Sequence, residues 1–534
     1  MSAENFNTGK RATTGSSAVA AMSSGHTSLP RRKASVTEHF ATDHLLTNLK
    51  GRTVSSGFVT LFAQGAQIIL NLVSIMVLAR LLTPEDFGLV AMVTTITGFL
   101  RIFNDAGLST ATVQREGITH AQVSNLFWTN VALGGMASLI LAVSAPAVAW
   151  FYREPRLVGV SLALCVTFLL TSSAVQPWAI LKRQMRFKLI AFVQVTSVAA
   201  GITVGISMAR LNCGYWSLVG MQLSISVVWF LGIWWASSWR PQLPTRCGGT
   251  RSLISFGANL TATSFLFSLA RGSDSLLIGR FYGPVPLGLY SRGAALVQRP
   301  VDQLMGPIDG VIVPALSRLQ RQPERYRRVT LQLYETIALI FFPFSALLLA
   351  TAHPLTLAVL GPRWESAAAI LAGFALVALY TPLASVASWL IVSQGRGKDF
   401  LVVSSVCSFF VIVSFLVGLP FGPVGVAVSF SAFCLLIDLP VSYYVAGWSG
   451  PVTTKDLWGR FCSHTPLWGV VFAATYLTRH LAQHFPPLIQ LLICIPAGLL
   501  AAAAAICIFA PSRQAARTLL RTLYESWRSR RFPV

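Results

Sequence analysis

The chain runs to 534 residues, 54% of them hydrophobic and only 11% charged. Soluble proteins carry about 25% charged residues, so a chain this long lacks the polar surface to cover a water-soluble globule, which excludes an ordinary cytosolic enzyme or a secreted domain. Against that background 41 Lys and Arg stand beside 18 Asp and Glu, a net charge of +23; this would suggest nucleic acid in a soluble protein, whereas in a membrane protein such residues collect in cytoplasmic loops.

Residues 1–52 are polar, rich in Ser, Thr and Ala, with a basic cluster at Arg31, Arg32 and Lys33. They contain no apolar core of signal-peptide length and read as a disordered cytoplasmic tail, with a short interfacial helix over Thr37–Leu49 at most. From Thr53 onward, apolar segments alternate with short connectors. Each segment has about 20 residues, the length that crosses a ~30 Å hydrocarbon core. An all-α polytopic fold of about fourteen spans is expected, near 56–80, 87–109, 123–147, 157–179, 188–209, 215–237, 253–279, 285–312, 329–352, 366–392, 398–418, 422–446, 461–479 and 487–510. Placing the N-terminus inside puts 30 of the cations on that side and 7 on the other, with four arginines within spans. That asymmetry predicts two cytoplasmic termini.

A repeat organises the spans. Residues 80–89 (R-L-L-T-P-E-D-F-G-L) and 280–289 (R-F-Y-G-P-V-P-L-G-L) share Arg, Pro, Gly and Leu at an offset of 200, and Pro155-Arg156 answers Pro362-Arg363. Six spans separate the copies, so both halves share one orientation, as in parallel-repeat transporters. The expected organisation is an N-lobe (53–240, spans 1–6) and a C-lobe (241–448, spans 7–12), related by a pseudo-two-fold along the membrane normal. Two further spans (449–510) and a basic cytoplasmic tail (511–534) follow.

The run L-A-R-L-L-T-P-E-D-F-G-L-V-A-M-V (78–93), then F-N-D-A-G-L-S-T-A-T-V-Q (103–114) and N-L-F-W-T-N (125–130), resembles the opening of Wzx-type polysaccharide flippases. These form the polysaccharide transport family of the MOP (MATE-like) superfamily, and the colanic-acid-exporter branch is the nearest. The C-lobe matches as well, over D-S-L-L-I-G-R-F-Y-G-P-V-P-L-G-L-Y-S-R-G (274–293), P-A-L-S-R-L (314–319) and L-G-P-R-W (360–364). The resemblance implies a bacterial inner-membrane protein carrying undecaprenyl-pyrophosphate-linked oligosaccharide repeat units to the periplasmic face by alternating access. Polysaccharide polymerase and export proteins would act next.

Ionisable residues within spans are costly and normally face a cavity or a partner. Span 2 holds Arg101 and Asp105, and span 7 holds Arg271 and Asp274. Span 8 holds Arg292, Arg299, Asp302 and Asp309, span 12 holds Asp438, and Glu335 stands near the start of span 9. Arg101/Asp105, Arg271/Asp274 and Arg299/Asp302 have the spacing of same-face pairs that could neutralise each other. Arg292 has no such partner and shares a face with Arg299. The functional alternative is an electropositive cavity between the lobes, in which Arg271, Arg292, Arg299 and Arg101 meet a pyrophosphate, because the planar guanidinium matches phosphate oxygens. Span 1 contributes Thr60, Gln64, Gln67, Asn71 and Ser74 on one stripe, either lining that cavity toward sugar hydroxyls or bonding a neighbouring helix. At offset 200, Asn71 maps to Arg271 and Ser74 to Asp274, the same polar face in each half. Asp274, Asp302, Asp438 and Asp105 are candidates for a coupling ion or for structural pairing.

No P-loop, H-E-x-x-H or C-x-x-C pattern is present, so no cofactor, metal or ATP-hydrolysing site is expected. The loops on the periplasmic side are too short for the external domain of a polymerase or glycosyltransferase. A MATE-like small-molecule antiporter is the alternative within transport, and it would need an acidic rather than a cationic passage.

Overall fold

The computed structural model describes residues 49–105, 107–114, 118–245, 269–270 and 272–531. The described residues form helices and the turns between them. In chain order these are α1 (Leu49–Leu81), α2 (Pro84–Asp105), α3 (Leu108–Gln114), α4 (His120–Tyr152), α5 (Leu157–Arg183), α6 (Phe187–Arg210) and α7 (Trp216–Ala236). Then follow α8 (272–282), α9 (Pro284–Arg318), α10 (Pro323–Ala350), α11 (Ala352–Val359), α12 (Ala367–Phe374) and α13 (Val377–Ser393). The chain ends with α14 (Gly397–Gly418), α15 (Gly422–Phe433), α16 (Leu439–Gly447), α17 (Thr454–Leu481), α18 (Pro487–Ile508) and α19 (Ala510–Arg531).

Spans 1–6 and 8–14 each coincide with a helix or a broken pair of helices, while the seventh lies largely outside the described residues. Among the described residues nine segments are long and apolar enough to cross a membrane on composition alone. The helix α9 falls short of that standard because it carries Arg292, Arg299, Asp302 and Asp309. The molecule is a multi-pass integral membrane protein.

Three spans depart from regular helix for identifiable reasons. Span 2 stops at Asp105 instead of running to 109, because the chain turns at Gly107 (φ 68°) and restarts as the short α3. Span 10 breaks between α12 and α13, where hydroxyls take up carbonyls: Ser431 Oγ donates to Gly373 O and Ser345 Oγ to Ala375 O (2.8 Å). Span 12 passes through a π-helical turn, Cys434–Asp438. It precedes Pro440, which has no N–H to return to Leu436.

The duplication is visible in the backbone as well as in the sequence. Helix α5 ends at Gln184, with Met185 left-handed (φ 54°) and Arg186 opening α6 at φ −82°, ψ 48°. Helix α13 ends at Gln394, with Gly395 left-handed (φ 74°) and Arg396 opening α14 at φ −83°, ψ 50°. Each arginine then reaches the last turn of the sixth helix of its half: Arg186 donates to Ala236 O (3.3 Å) and Arg396 to Val445 O (2.8 Å). These contacts satisfy carbonyls that a helix end leaves without intrahelical partners.

Within the first half α4 packs on α5, α6 on α7 and α1 on α6; within the second, α14 packs on α15, and α13 on α9 and α16. Helices α2 and α9 pack against each other across the two halves. Helix α17 lies along α10, joined by Arg327–Asp456 and Arg460–Glu335 ion pairs, and carries α18 and α19.

Candidate functional site

The two lobes meet most closely where α2 crosses α9. A Cβ on Gly88 would stand 1.8 Å from Pro284 O, and one on Gly288 would stand 1.9 Å from Pro84 O. Only glycine permits backbones to approach so closely, and the reciprocity of the two contacts puts the pseudo-two-fold axis between them. Around this crossing, at the end where α1 turns into α2 and α8 into α9, each lobe reaches into the other. Arg80 donates to Ala358 O (3.0 Å) and Trp364 Nε1 to Ala79 O (2.8 Å), while Phe87 meets the Trp364 ring edge-on at 5.3 Å. In the opposite sense, the Arg280 guanidinium lies 5.8 Å from the Phe151 ring. Among the described residues, this is the end at which the two lobes close on each other.

Arg292 lies just inside the seal, one turn along α9 from Gly288. Its guanidinium sits 4.8 Å over the ring of Phe87 of the other lobe, and its buried Nε has no hydrogen-bond partner. Arg299 follows two turns further on and is exposed, near enough for the two positive charges to repel one another. Among the described ion pairs none joins Arg299 to Asp302. The structure thus holds two like charges on one face of a spanning helix, one of them against the opposite lobe.

The remaining candidates are divided among other places. Arg101 is exposed on α2, whereas Arg271 and the Asp105 side chain lie outside the described residues, as does the Thr60 side chain. Gln67 accepts from Gln194 of α6 (3.4 Å), and the buried Ser74 hydroxyl points at Met221 Sδ (3.8 Å). Those two positions thus face helices of their own lobe. Gln64 is exposed and Asn71 half-buried. Asp309 accepts from Trp389 Nε1 (2.7 Å), and Glu335 pairs with Arg460.

Three of the carboxylates share a cavity inside the second half. About 700 Å³ in volume, it lies among α8, α9, α13, α14 and the α15–α16 segment, with Asp274, Asp302 and Asp438 on its wall beside Gln298, Ser385 and Ser404. Asp274 accepts the Tyr290 hydroxyl (2.8 Å) and its neighbouring Ser275 amide. Asp438 accepts from Tyr380 and from Ser442 Oγ (3.0 Å), and it occupies the end of the π-helical turn. Such turns are frequent where a helix must present a functional side chain.

The first half holds a network of amides and hydroxyls instead, built from residues that the sequence reading did not single out. Gln176 joins Thr112 (2.8 Å) to Asn130 (2.9 Å). Asn130 donates to Asn104 O (2.8 Å), and Asn104 donates to Thr171 (2.9 Å). Arg183 reaches Thr112 O (3.0 Å). Thr112, Asn130 and Gln176 are fully buried. The signal was present in the sequence: Asn104, Thr112 and Asn130 fall in the two runs 103–114 and 125–130, which the network ties together.

Comparison with known proteins fits this architecture. The family model described as "Polysaccharide biosynthesis protein" matches residues 77–369, more than half of the chain. The chain belongs to that family. It is 27% identical to the teichuronic acid biosynthesis protein TuaB of Bacillus subtilis, over 66% of this chain and 72% of that protein. With the lipopolysaccharide biosynthesis protein WzxC of Escherichia coli it shares 24% identity, over 74% of this chain and 81% of the relative. Among solved structures, the lipid II flippase MurJ in an inward closed conformation superposes with a TM-score of 0.66, covering 85% of this chain and 99% of MurJ at 13% identity. An inward-facing multidrug MATE transporter of the MOP superfamily gives 0.53, covering 71% and 93% at 14% identity. This polysaccharide biosynthesis protein therefore shares the fold of those two solved structures.

Proposed function

We propose that this protein is a bacterial inner-membrane flippase. It carries undecaprenyl-pyrophosphate-linked oligosaccharide repeat units to the periplasmic face for exopolysaccharide or lipopolysaccharide biosynthesis. The observation that carries the reading is Arg292: a guanidinium between the lobes, directly behind the seal, with a donor left unused. A pyrophosphate crossing hydrocarbon needs charge-assisted donors in a low-dielectric setting, and arginine offers them in a planar fork. Relatives named for teichuronic acid and lipopolysaccharide biosynthesis and a fold neighbour titled a lipid II flippase support the same substrate class.

With 30 cations against 7, the α1–α2 and α8–α9 turns face the periplasm and both termini the cytoplasm. The sealed end is then periplasmic, and the headgroup enters from the cytoplasmic side toward Arg299 and Arg292 while the polyprenyl tail stays in lipid. Rocking of the lobes about the Gly88–Gly288 crossing exchanges the sealed end. Arg101 extends the cationic path, and Gln64 and Asn71 meet the sugars. The carboxylates Asp274, Asp302 and Asp438 take the coupling cation. The polymerase and export machinery consume the delivered unit.

The reading is tested by reconstituting the full chain in liposomes and following movement of a short lipid-linked pyrophosphate oligosaccharide. Arg292→Ala is expected to lower the rate on the order of tenfold or more, with Arg292→Lys retaining part of it. Wild-type rates in Arg292→Ala and Arg299→Ala alike would remove the proposed phosphate path.

A further inference from the structure

We propose that α19 is an interfacial helix that binds the anionic phospholipid headgroups of the leaflet into which α18 emerges. The identity of that leaflet as cytoplasmic rests on the sidedness proposed above; the lipid contact itself does not.

Position comes first. Helix α18 is an apolar span ending at Ile508, and Phe509 alone separates it from Ala510, the first residue of α19. One residue advances the chain by less than ~4 Å, so α19 begins at the membrane surface. It then runs 22 residues, about 33 Å at helical rise. Its contacts with α10, α17 and α18 hold it to the bundle, with Ser512 and Ala515 buried.

The exposed side has a composition that water alone does not favour. Leu520 and Tyr524, one turn apart, are 66% and 60% exposed. Arg513, Arg517 and Arg521 recur at intervals of four and are all exposed. At 100° per residue the three arginines span an arc of about 80°, which Leu520 and Tyr524 overlap, roughly opposite Ala515. Arg513 also reaches back to Cys507 O (3.4 Å), fixing the helix against the end of the span, and Arg521 pairs with Glu525 (2.9 Å). At the start of α10, which shares this end of the bundle, Arg325 and Arg328 are exposed too.

Large apolar side chains interleaved with guanidiniums match a headgroup layer, where the former enter the acyl boundary and the latter meet phosphates. The net positive charge of this surface selects anionic over zwitterionic lipid. Helix α19 touches both α10 of the second half and the appended α17–α18 pair, so lipid binding there holds the appended helices in register with the transporting lobes.

The test uses the full chain, carrying a C-terminal epitope, in vesicles of phosphatidylcholine alone or with three parts in ten phosphatidylglycerol. Trypsin is added from outside, and epitope loss is followed for the population whose C-terminus faces out. Cleavage within α19 should be on the order of tenfold slower in the anionic vesicles. The protection should disappear in 0.5 M NaCl, fall in Leu520→Ser/Tyr524→Ser, and fail to arise when inorganic phosphate is added to the phosphatidylcholine vesicles. Equal cleavage in both vesicle types would overturn the proposal, as would equal protection by free phosphate. Neither outcome depends on transport, so failure here leaves the flippase reading standing, and failure of that reading leaves this one.

Discussion

The two halves of the molecule share a skeleton and differ in what they bury. Arg186 and Arg396 open corresponding helices at nearly the same dihedrals and hold corresponding carbonyls, and Gly88 and Gly288 make mirrored contacts. Inside that common frame the first half closes its interior with hydrogen-bonded amides and threonines that the Arg183 guanidinium joins, and no carboxylate stands among the described members of that network. The second half keeps a cavity of about 700 Å³ walled by three aspartates, two of them held by tyrosines. A network of hydrogen-bonded amides and hydroxyls adds rigidity, whereas carboxylates around a void invite a proton or cation. The comparison assigns rigidity to one half and responsiveness to the other, with Arg292 placed where the halves touch.

The largest effect is expected at the contact the halves share. Gly88→Leu or Gly288→Leu puts side chain where a backbone carbonyl now stands, and transport in the liposome assay should fall to background while the protein still inserts. Equal activity would mean that the crossing is not needed in the working cycle.

Next come substitutions that set the interiors against each other. Asp438→Asn and Asp274→Asn should reduce transport on the order of tenfold and flatten its dependence on the imposed cation gradient. Gln176→Leu in the first half should instead lower thermal stability in detergent by about 1–3 kcal/mol, the cost of stranding buried partners, and leave gradient dependence intact. The contrast fails if the two kinds of variant behave alike.

Smaller losses are expected from Arg186→Gln and Arg396→Gln. Each forfeits a charged hydrogen bond to the sixth helix of its half, about 1.5–3 kcal/mol at most, and thermal denaturation should show the larger loss for Arg396→Gln, because Arg396 also pairs with Asp399 (2.8 Å) and donates to Ser449 O (3.2 Å).

The smallest effect lies at the appended helices. Burial pushes the Asp456 carboxyl up, but hydrogen bonds from Arg327 and from the Thr453 amide and hydroxyl outweigh this and hold it below its usual value. A lowered folded-state value means that the pair stabilises the protein above the ordinary carboxylate range, and that this contribution is lost as pH falls through the folded value. Arg327 is well exposed, so Asp456→Asn should cost no more than about 1 kcal/mol at pH 7, and the difference from wild type should vanish in acid.

Much of the fold was legible in the sequence because hydrophobic length is a strong, local signal. The Arg80/Gly88 and Arg280/Gly288 repeat pointed to a duplication, and only the structure puts both glycines at the halves' contact, where a Cβ would not fit. The second repeat, Gln184-Met185-Arg186 with Gln394-Gly395-Arg396, was obscured because left-handed geometry is met by methionine in one copy and glycine in the other. Site residues were harder to read. Spacing along one helix offered same-face partners such as Arg271 for Asp274, but Asp274 also takes the hydroxyl of Tyr290, sixteen positions away on the next helix, and Arg271 lies outside the described residues. Helical periodicity finds a polar stripe but not the neighbour it meets, so Gln67 and Ser74 could not be assigned to glue or cavity without α6 and α7. Asn130 and Gln176 carry no charge and barely disturb the apolarity of their spans, so their network leaves little trace in the sequence.

The central claim is that a pyrophosphate-linked oligosaccharide passes between the lobes at Arg292. It is tested most directly in the native host, with the chromosomal copy deleted and replaced by Arg292→Ala, by measuring which leaflet of the inner membrane holds the lipid-linked repeat unit. The account predicts that the complete unit accumulates on the cytoplasmic leaflet in both strains and returns to wild-type levels when the unaltered copy is restored. A repeat unit found on the periplasmic leaflet at wild-type abundance in the deletion strain would contradict it.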